Sequence, residues 1–213
     1  MAEPPTFDDA FRARLHDLFV WRRDVRRFRV DPLPAGALQR LIAAACLGPS
    51  VGLSQPWRFV VVDHPARRQA VIDDFTARNA EALASYQGAR AQRYARLKLA
   101  GLGEAPCQLA VFADHATARG QGLGRRTMPE TIDYSVVAAI SLMWLAARAE
   151  GIGVGWLSIL DPQRLHAILD VPGDWRFIGY FCLGYPQGSD DAPELERAQW
   201  ERRAAPEQFM LRR

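Results

Sequence analysis

Lysine is all but missing from this chain. Lys98 is the single example, so nearly all of the 27 basic side chains are arginines. Against 24 acidic groups they leave a formal charge of only +3, too small a surplus for a protein that coats nucleic acid. Cysteine is scarce as well. Cys46, Cys107 and Cys182 are odd in number and far apart, which excludes a disulfide framework and reads as buried thiols in apolar runs. The most apolar stretch, residues 136–147, is bracketed by Asp133 and Arg148 and falls short of the ~20 residues of a membrane span. Residues 1–9 carry Glu3, Asp8 and Asp9 and no apolar core, unlike a signal peptide. A soluble, cytoplasmic protein with no nucleic-acid or membrane partner is the expectation. The four histidines, His16, His64, His115 and His166, are scattered without ligand spacing, so no metal is expected. A Gly-x-Ser-x-Gly elbow is absent. Neither the glycines at 120, 122 and 124 nor those at 151, 153 and 155 have the context of a P-loop or a dinucleotide fingerprint.

What is present suits one globular domain. The 213 residues are 49% hydrophobic and 24% charged, enough to bury a real core. Apolar spacing at Phe11, Leu15, Leu18 and Phe19 predicts a helix over 7–21. Leu38, Leu41 and Ile42 predict a second over 34–46, with proline in its first turn. Short β-branched and apolar runs predict strands at 58–62, 109–113, 154–159 and 177–183. Two mostly polar helices fill 67–83 and 86–100. Residues 131–150 form the strongest element, a helix apolar nearly all round, which must be buried in a domain centre or a dimer interface. The tail from Asp190 is charged, poorly patterned and suited to lying over another surface. The architecture is therefore α+β: a small mixed or antiparallel sheet flanked by helices, with a buried central helix and a C-terminal extension. One domain spans 1–213, with a core over 14–190 and an extension over 191–213.

Three segments can carry chemistry. Residues 22–27, Arg-Arg-Asp-Val-Arg-Arg, hold five charges in six positions. They suit a solvated helix end. They also suit an anion site in which Arg22 and Arg26, four apart, share a helical face and clamp one phosphate. Asp24 is then either an ion-pair partner or a carboxylate kept for a task. Residues 48–57, Gly-Pro-Ser-Val-Gly-Leu-Ser-Gln-Pro-Trp, make either a plain turn or a loop that offers donors and an aromatic to a planar heterocycle. The alternating glycines of 151–155 let a backbone approach a ligand or another element closely. The glycines of 120–124 read as a mobile loop.

Together these segments resemble the FMN-dependent nitroreductase superfamily over nearly the whole chain. The arginine cluster is similar to the family's Arg-Arg-Ser-x-Arg segment, and Pro49-Ser50 with Gln55-Pro56-Trp57 to its Pro-Ser-x-x-Asn-x-Gln-Pro-Trp loop. The departures are Asp24 in place of Ser and Leu53 in place of Asn. With Gly153-Val-Gly155-Trp156-Leu157-Ser158, the Tyr94-to-Gly101 segment and the run ending at Gly151, they resemble the BluB-type 5,6-dimethylbenzimidazole synthase branch. That resemblance implies reduced FMN as substrate and dioxygen as co-substrate, with fragmentation to 5,6-dimethylbenzimidazole and erythrose 4-phosphate for the lower ligand of cobalamin. It implies a homodimer, and a separate NAD(P)H-dependent flavin reductase as supplier. It gives chemical roles to Asp24, as a proton acceptor held at low pKa by the arginines, and to Ser158. It gives flavin contacts to Arg22, Arg23, Val25, Arg26, Pro49, Ser50, Gly52, Gln55, Leu157 and Arg203, with Ser50 and Gly52 reaching in from the partner subunit. The helices between 67 and 100 are implied as a lid. The alternative within the same superfamily is an NAD(P)H-dependent nitro- or quinone reductase that keeps its FMN.

Overall fold

A computed structural model describes residues 3–213. Its centre is a four-stranded sheet of β1 (Trp57–Val61), β2 (Cys107–Asp114), β3 (Gly153–Leu157) and β4 (Trp175–Gly184), in the order β1-β2-β4-β3. All three pairings are antiparallel, so the sheet is not mixed. Helices cover both faces. Leu109, Val111, Ala113, Phe181 and Leu183 face one helical layer, and Ala110, Phe112, Tyr180 and Cys182 face the other. Burial on both sides is why β2 and β4 read as continuous apolar runs instead of alternating ones.

The first layer is α2 (Ala37–Ala45) and α5 (Thr131–Ala149); the second is α3 (Pro65–Ala84) with α6 (Pro162–Leu169). α5 buries Ile132, Val136, Ala139, Ile140, Met143 and Ala147. Its other side leaves Tyr134 58% and Val137 37% exposed, so within one chain the helix is not buried all round. At 19 residues and a mean hydropathy of 1.3, α5 is long and apolar enough to cross a membrane, which the shorter 136–147 run had concealed. Its buried face packs on the sheet instead.

Several boundaries move for local reasons. α1 (Asp9–Trp21) starts where Asp8 accepts a hydrogen bond from the Phe11 N–H. α2 starts at Ala37, after a left-handed Gly36, and Pro34 lies in the preceding turn with its carbonyl accepting from Ala37. The predicted 86–100 helix shrinks to α4 (Gly88–Ala95); the chain beyond it is irregular, and there the Leu99 carbonyl accepts from Arg26 Nη1 at 2.8 Å. α6 was not expected, although Asp161 caps it and Pro162 opens it, both readable start signals. A short α7 (Glu194–Arg197) begins the tail. Among the cysteines only Cys182 is fully buried; Cys46 and Cys107 are half-buried. Burial raises the thiols of Cys107 to about 11 and Cys182 to about 12.

Candidate active site

The helix α1 stops at Trp21, and Arg22 is already extended (φ −71°, ψ 114°). From there the chain runs beside β3 as a short extra strand. The Val25 N–H donates to the Val154 carbonyl at 2.9 Å, and Asp24 pairs with Val154 in a parallel bridge. Arg22 and Arg26 consequently do not share a helical face, and the expected two-arginine clamp is not built. The alternating glycines explain the close approach. A Cβ on Gly155 would lie 2.2 Å from the Val25 carbonyl oxygen, and one on Gly153 would lie 2.8 Å from Val25 Cγ2. What they admit is the chain's own backbone.

This pairing fixes Asp24 between two partners. Its Oδ1 accepts from the Trp156 N–H at 2.9 Å, and its Oδ2 is ion-paired with Arg26. Arg26 is itself held by the carbonyls of Trp156 and Leu99, each at 2.8 Å. The Asp24 side chain stays 40% exposed to the open cavity, yet protein packed around it removes enough water to raise the carboxyl; the Arg26 charge and the Trp156 N–H pull it down, and the net displacement is upward. The sequence expectation of a carboxylate held low by arginines is therefore reversed. One guanidinium is engaged with Asp24, and desolvation outweighs it.

Trp144 of α5 organises the neighbouring residues. Its ring lies 4.9 Å beneath the Arg22 guanidinium, and its Nε1 donates to the Arg23 carbonyl at 3.2 Å. Arg22, Arg23, Asp24 and Arg26 line a cavity of about 190 Å³ together with Leu97, Lys98, Leu99, Glu194 and Arg203. Five cationic side chains face two carboxylates there. Asp24 is taken by Arg26, Glu194 by Arg27 at 2.8 Å, and Lys98 pairs with Glu104 at 2.8 Å. Among the described residues Arg22, Arg23 and Arg203 make no ion pair, and the buried Arg23 Nε has no partner. Burial first, then the charges of Arg203 and Arg22, depress the Arg23 guanidinium. Three crowded, unneutralised cations describe a site for an anion.

The loop 48–57 lies elsewhere. The Val51 N–H donates to Ser135 Oγ at 3.0 Å, near the start of α5, nine residues before Trp144. At 1.5 Å per residue those anchors are roughly 13 Å apart along the helix. Ser50 Oγ accepts from the Gln55 N–H at 3.1 Å, Gln55 Oε1 accepts from Arg119 at 2.7 Å, and exposed Pro49 precedes them. Gly52 is left-handed and packs backbone to backbone on Gly120, whose Cβ would meet the Gly52 carbonyl at 2.6 Å. The loop read as mobile is therefore a wall of a separate, open cavity lined by Gly52, Leu53 and residues 118–124. Leu157 is buried at the end of β3, and Ser158 follows it, exposed, one residue beyond the strand predicted to contain it. Sequence reading passed over Trp144, Lys98 and Glu194 as site residues. Lys98 carried one signal, being the lone lysine in a segment already singled out.

The comparisons agree with this frame. The chain is 58% identical over 203 residues to a 5,6-dimethylbenzimidazole synthase of Rhodospirillum rubrum, covering 95% of this chain and 96% of the relative. It is 46% identical to a protein of the same name from Rhodobacter capsulatus, over 92% of this chain and 94% of that one. In fold it resembles oxidized iodotyrosine deiodinase bound to FMN and 3-iodo-L-tyrosine, with a TM-score of 0.70 at 23% identity over 83% of this chain and 91% of that one. The family model for nitroreductases matches residues 19–185, and with these relatives it follows that the chain belongs to the Nitroreductase family.

Proposed function

We propose that this protein is a 5,6-dimethylbenzimidazole synthase, a flavin-consuming oxidoreductase. The carrying observation is the 58% identity, over nearly both full lengths, to a protein of that name. The nitroreductase alternative rests on family-level likeness only. The substrate is reduced FMN. It supplies the electrons that dioxygen, the co-substrate, accepts, and the dimethylated ring with its two nitrogens and one ribityl carbon for the product; the other four ribityl carbons leave as erythrose 4-phosphate and the pyrimidine part of the ring leaves as a separate fragment. The unpartnered Arg23 Nε and the three arginines without carboxylates support Arg22, Arg23 and Arg203 as holders of the FMN phosphate. Arg26 spends its donors on Asp24, Trp156 and Leu99, so its part at the flavin is to fix the carboxylate and close the cavity wall. Asp24 accepts a proton beside the ribityl chain, a task that its raised pKa suits. Val25 lines the adjoining cavity beside Trp144, and Leu157, buried in the core next to Ser158, holds the end of β3 in place; both complete the flavin contacts in this reading. Ser158, free at the strand end, donates to the reacting edge of the ring. Ser158→Gly is expected to leave reduced-FMN affinity unchanged and to slow product formation by roughly a hundredfold, the cost of one preorganised donor. An unaltered rate removes Ser158 from the chemistry.

Pro49, Ser50, Gly52 and Gln55 act on the flavin of the other subunit in a homodimer. Two observations support this: their anchor on α5, Ser135, lies roughly 13 Å along the helix from Trp144, which holds Arg22 and Arg23, and Leu53, Leu123, Tyr134 and Val137 leave apolar surface open around them. Sedimentation at micromolar concentration is expected to give a dimer; a monomer would overturn the shared site. The chain works as one domain, core 14–190 and extension 191–213. Because the flavin is consumed, it must arrive reduced, from a separate NAD(P)H-dependent flavin reductase in the cytoplasm. The test is anaerobic mixing with excess photoreduced FMN, then air, then chromatography. Dimethylbenzimidazole matched by FMN loss is the expected result. Full return of oxidised FMN, with brisk NAD(P)H oxidation once a nitroaromatic is added, makes the protein a reductase.

A further inference from the structure

The tail meets the rest of the chain at one aromatic anchor. Residues 201–213 are all exposed, and of those after Arg197 only Trp200 is half-buried. Its ring sits edge-on to Tyr86 at 5.6 Å and tilted over Tyr94 at 6.0 Å. The Arg90 guanidinium covers both, 5.3 Å from the Trp200 ring and 5.1 Å from Tyr86. Arg93 of α4 donates to the Gln199 carbonyl at 3.1 Å. Gln199 is left-handed, φ 56°, and the Trp200 N–H returns to the Leu195 carbonyl at 2.8 Å. The chain is thus bent sharply so that the indole lands on α4. The helix is pinned in turn, since Tyr94 Oη donates to Asn79 of α3 at 2.7 Å.

Two walls of the arginine cavity lead away from this anchor. α4 ends at Ala95, and Leu97, Lys98 and Leu99 follow immediately. Arg203 lies three residues after Trp200, within about 10 Å of chain. Among the described residues its side chain makes no ion pair or hydrogen bond that would hold it there. We infer that Trp200 is a positioning residue for the flavin phosphate, docking the tail on α4 so that Arg203 and the Leu97–Leu99 wall enclose the phosphate as one unit. Freed of the indole, Arg203 would sample the whole volume open to an unstructured tail, and its effective concentration at the cavity would fall. The inference rests on reading that cavity as the phosphate site of reduced FMN, so the test separates the two.

The experiment is anaerobic titration of the full chain with reduced FMN and, in parallel, with reduced riboflavin, which lacks the phosphate. Arg203→Ala is expected to weaken reduced FMN about tenfold, the scale of one charge-assisted contact, and to leave reduced riboflavin unchanged. Trp200→Ala is expected to do the same, Trp200→Phe to restore most of the preference, and the double variant to be no weaker than Arg203→Ala alone. If Arg203→Ala loses the phosphate preference and Trp200→Ala keeps it, the positioning role fails and the phosphate site stands. An equal loss for both flavins in Trp200→Ala makes the indole merely structural and also overturns the inference. Full phosphate preference in Arg203→Ala removes the phosphate reading, and the inference with it.

Discussion

Asp24→Asn is expected to slow dimethylbenzimidazole formation by roughly 10²–10⁴-fold, the usual worth of a positioned proton acceptor, while reduced FMN still binds. The amide keeps an oxygen for the Trp156 N–H and fills the same space, so the strand-like course of residues 24–25 survives. What it loses is basicity, together with the charge that pairs with Arg26, which keeps its bonds to the Trp156 and Leu99 carbonyls. The pH profile makes the assignment specific. Burial holds the Asp24 carboxyl above its ordinary value. The parent rate is therefore expected to fall with decreasing pH at a higher pH than a solvated aspartate, about 3.9, would give. The variant should have no such limb. The same displacement acts on stability with its own sign: the protonated carboxyl favours the folded state, a contribution present at low pH and lost as pH rises through the raised value. Equal rates in parent and variant across that range would take Asp24 out of the reaction.

Gly155→Ala is expected to destabilise the fold by about 3 kcal/mol, a fall in Tm of roughly 6–12 °C for a chain of this size. The new Cβ would stand 2.2 Å from the Val25 carbonyl oxygen, which is backbone and cannot rotate away. Relief requires residues 24–25 to leave β3, which breaks the Val25–Val154 hydrogen bond and withdraws Asp24 from Trp156. Gly153→Ala meets side-chain atoms of Val25 and no backbone, the nearest being Cγ2 at 2.8 Å and Cβ at 3.1 Å, and should cost about 1 kcal/mol. Calorimetry of the pair decides. Indistinguishable Tm values would mean that the glycines are not there for this contact.

The sequence carried the central strands and α5 plainly, because strands buried on both faces leave short continuous apolar runs and a long helix apolar nearly all round leaves an extended one. It carried α6 as well, in the Asp161–Pro162 start, but eight residues make a weak pattern and went unread. It did not carry the end of α4 at Ala95, nor the contact beyond it, where Arg26, some seventy positions earlier, reaches the Leu99 carbonyl. The arginine cluster was legible as an anion site and its geometry was not. Helical spacing of Arg22 and Arg26 assumes that α1 continues, and pairing with β3 replaced that continuation. The direction of the Asp24 shift turns on desolvation, a property of the surrounding packing that no local charge count contains. The assignment of Ser50 and Gly52 to a flavin in the other subunit came from the family resemblance alone; what the structure adds is that their loop is anchored at Ser135, away from the arginine cavity.

β3 ends the sheet in the order β1-β2-β4-β3, so its outer side is an unpaired row of backbone donors and acceptors unless something covers it. Residues 24–25 provide that cover, through one parallel bridge. The carboxylate proposed to move the proton therefore rides on the seal of the sheet edge. A variant that expels this segment does more than lose turnover: it bares a strand rich in glycine and apolar residues to neighbouring molecules. Holding the proposed proton acceptor in place and keeping the sheet edge covered thus fall to the same two residues.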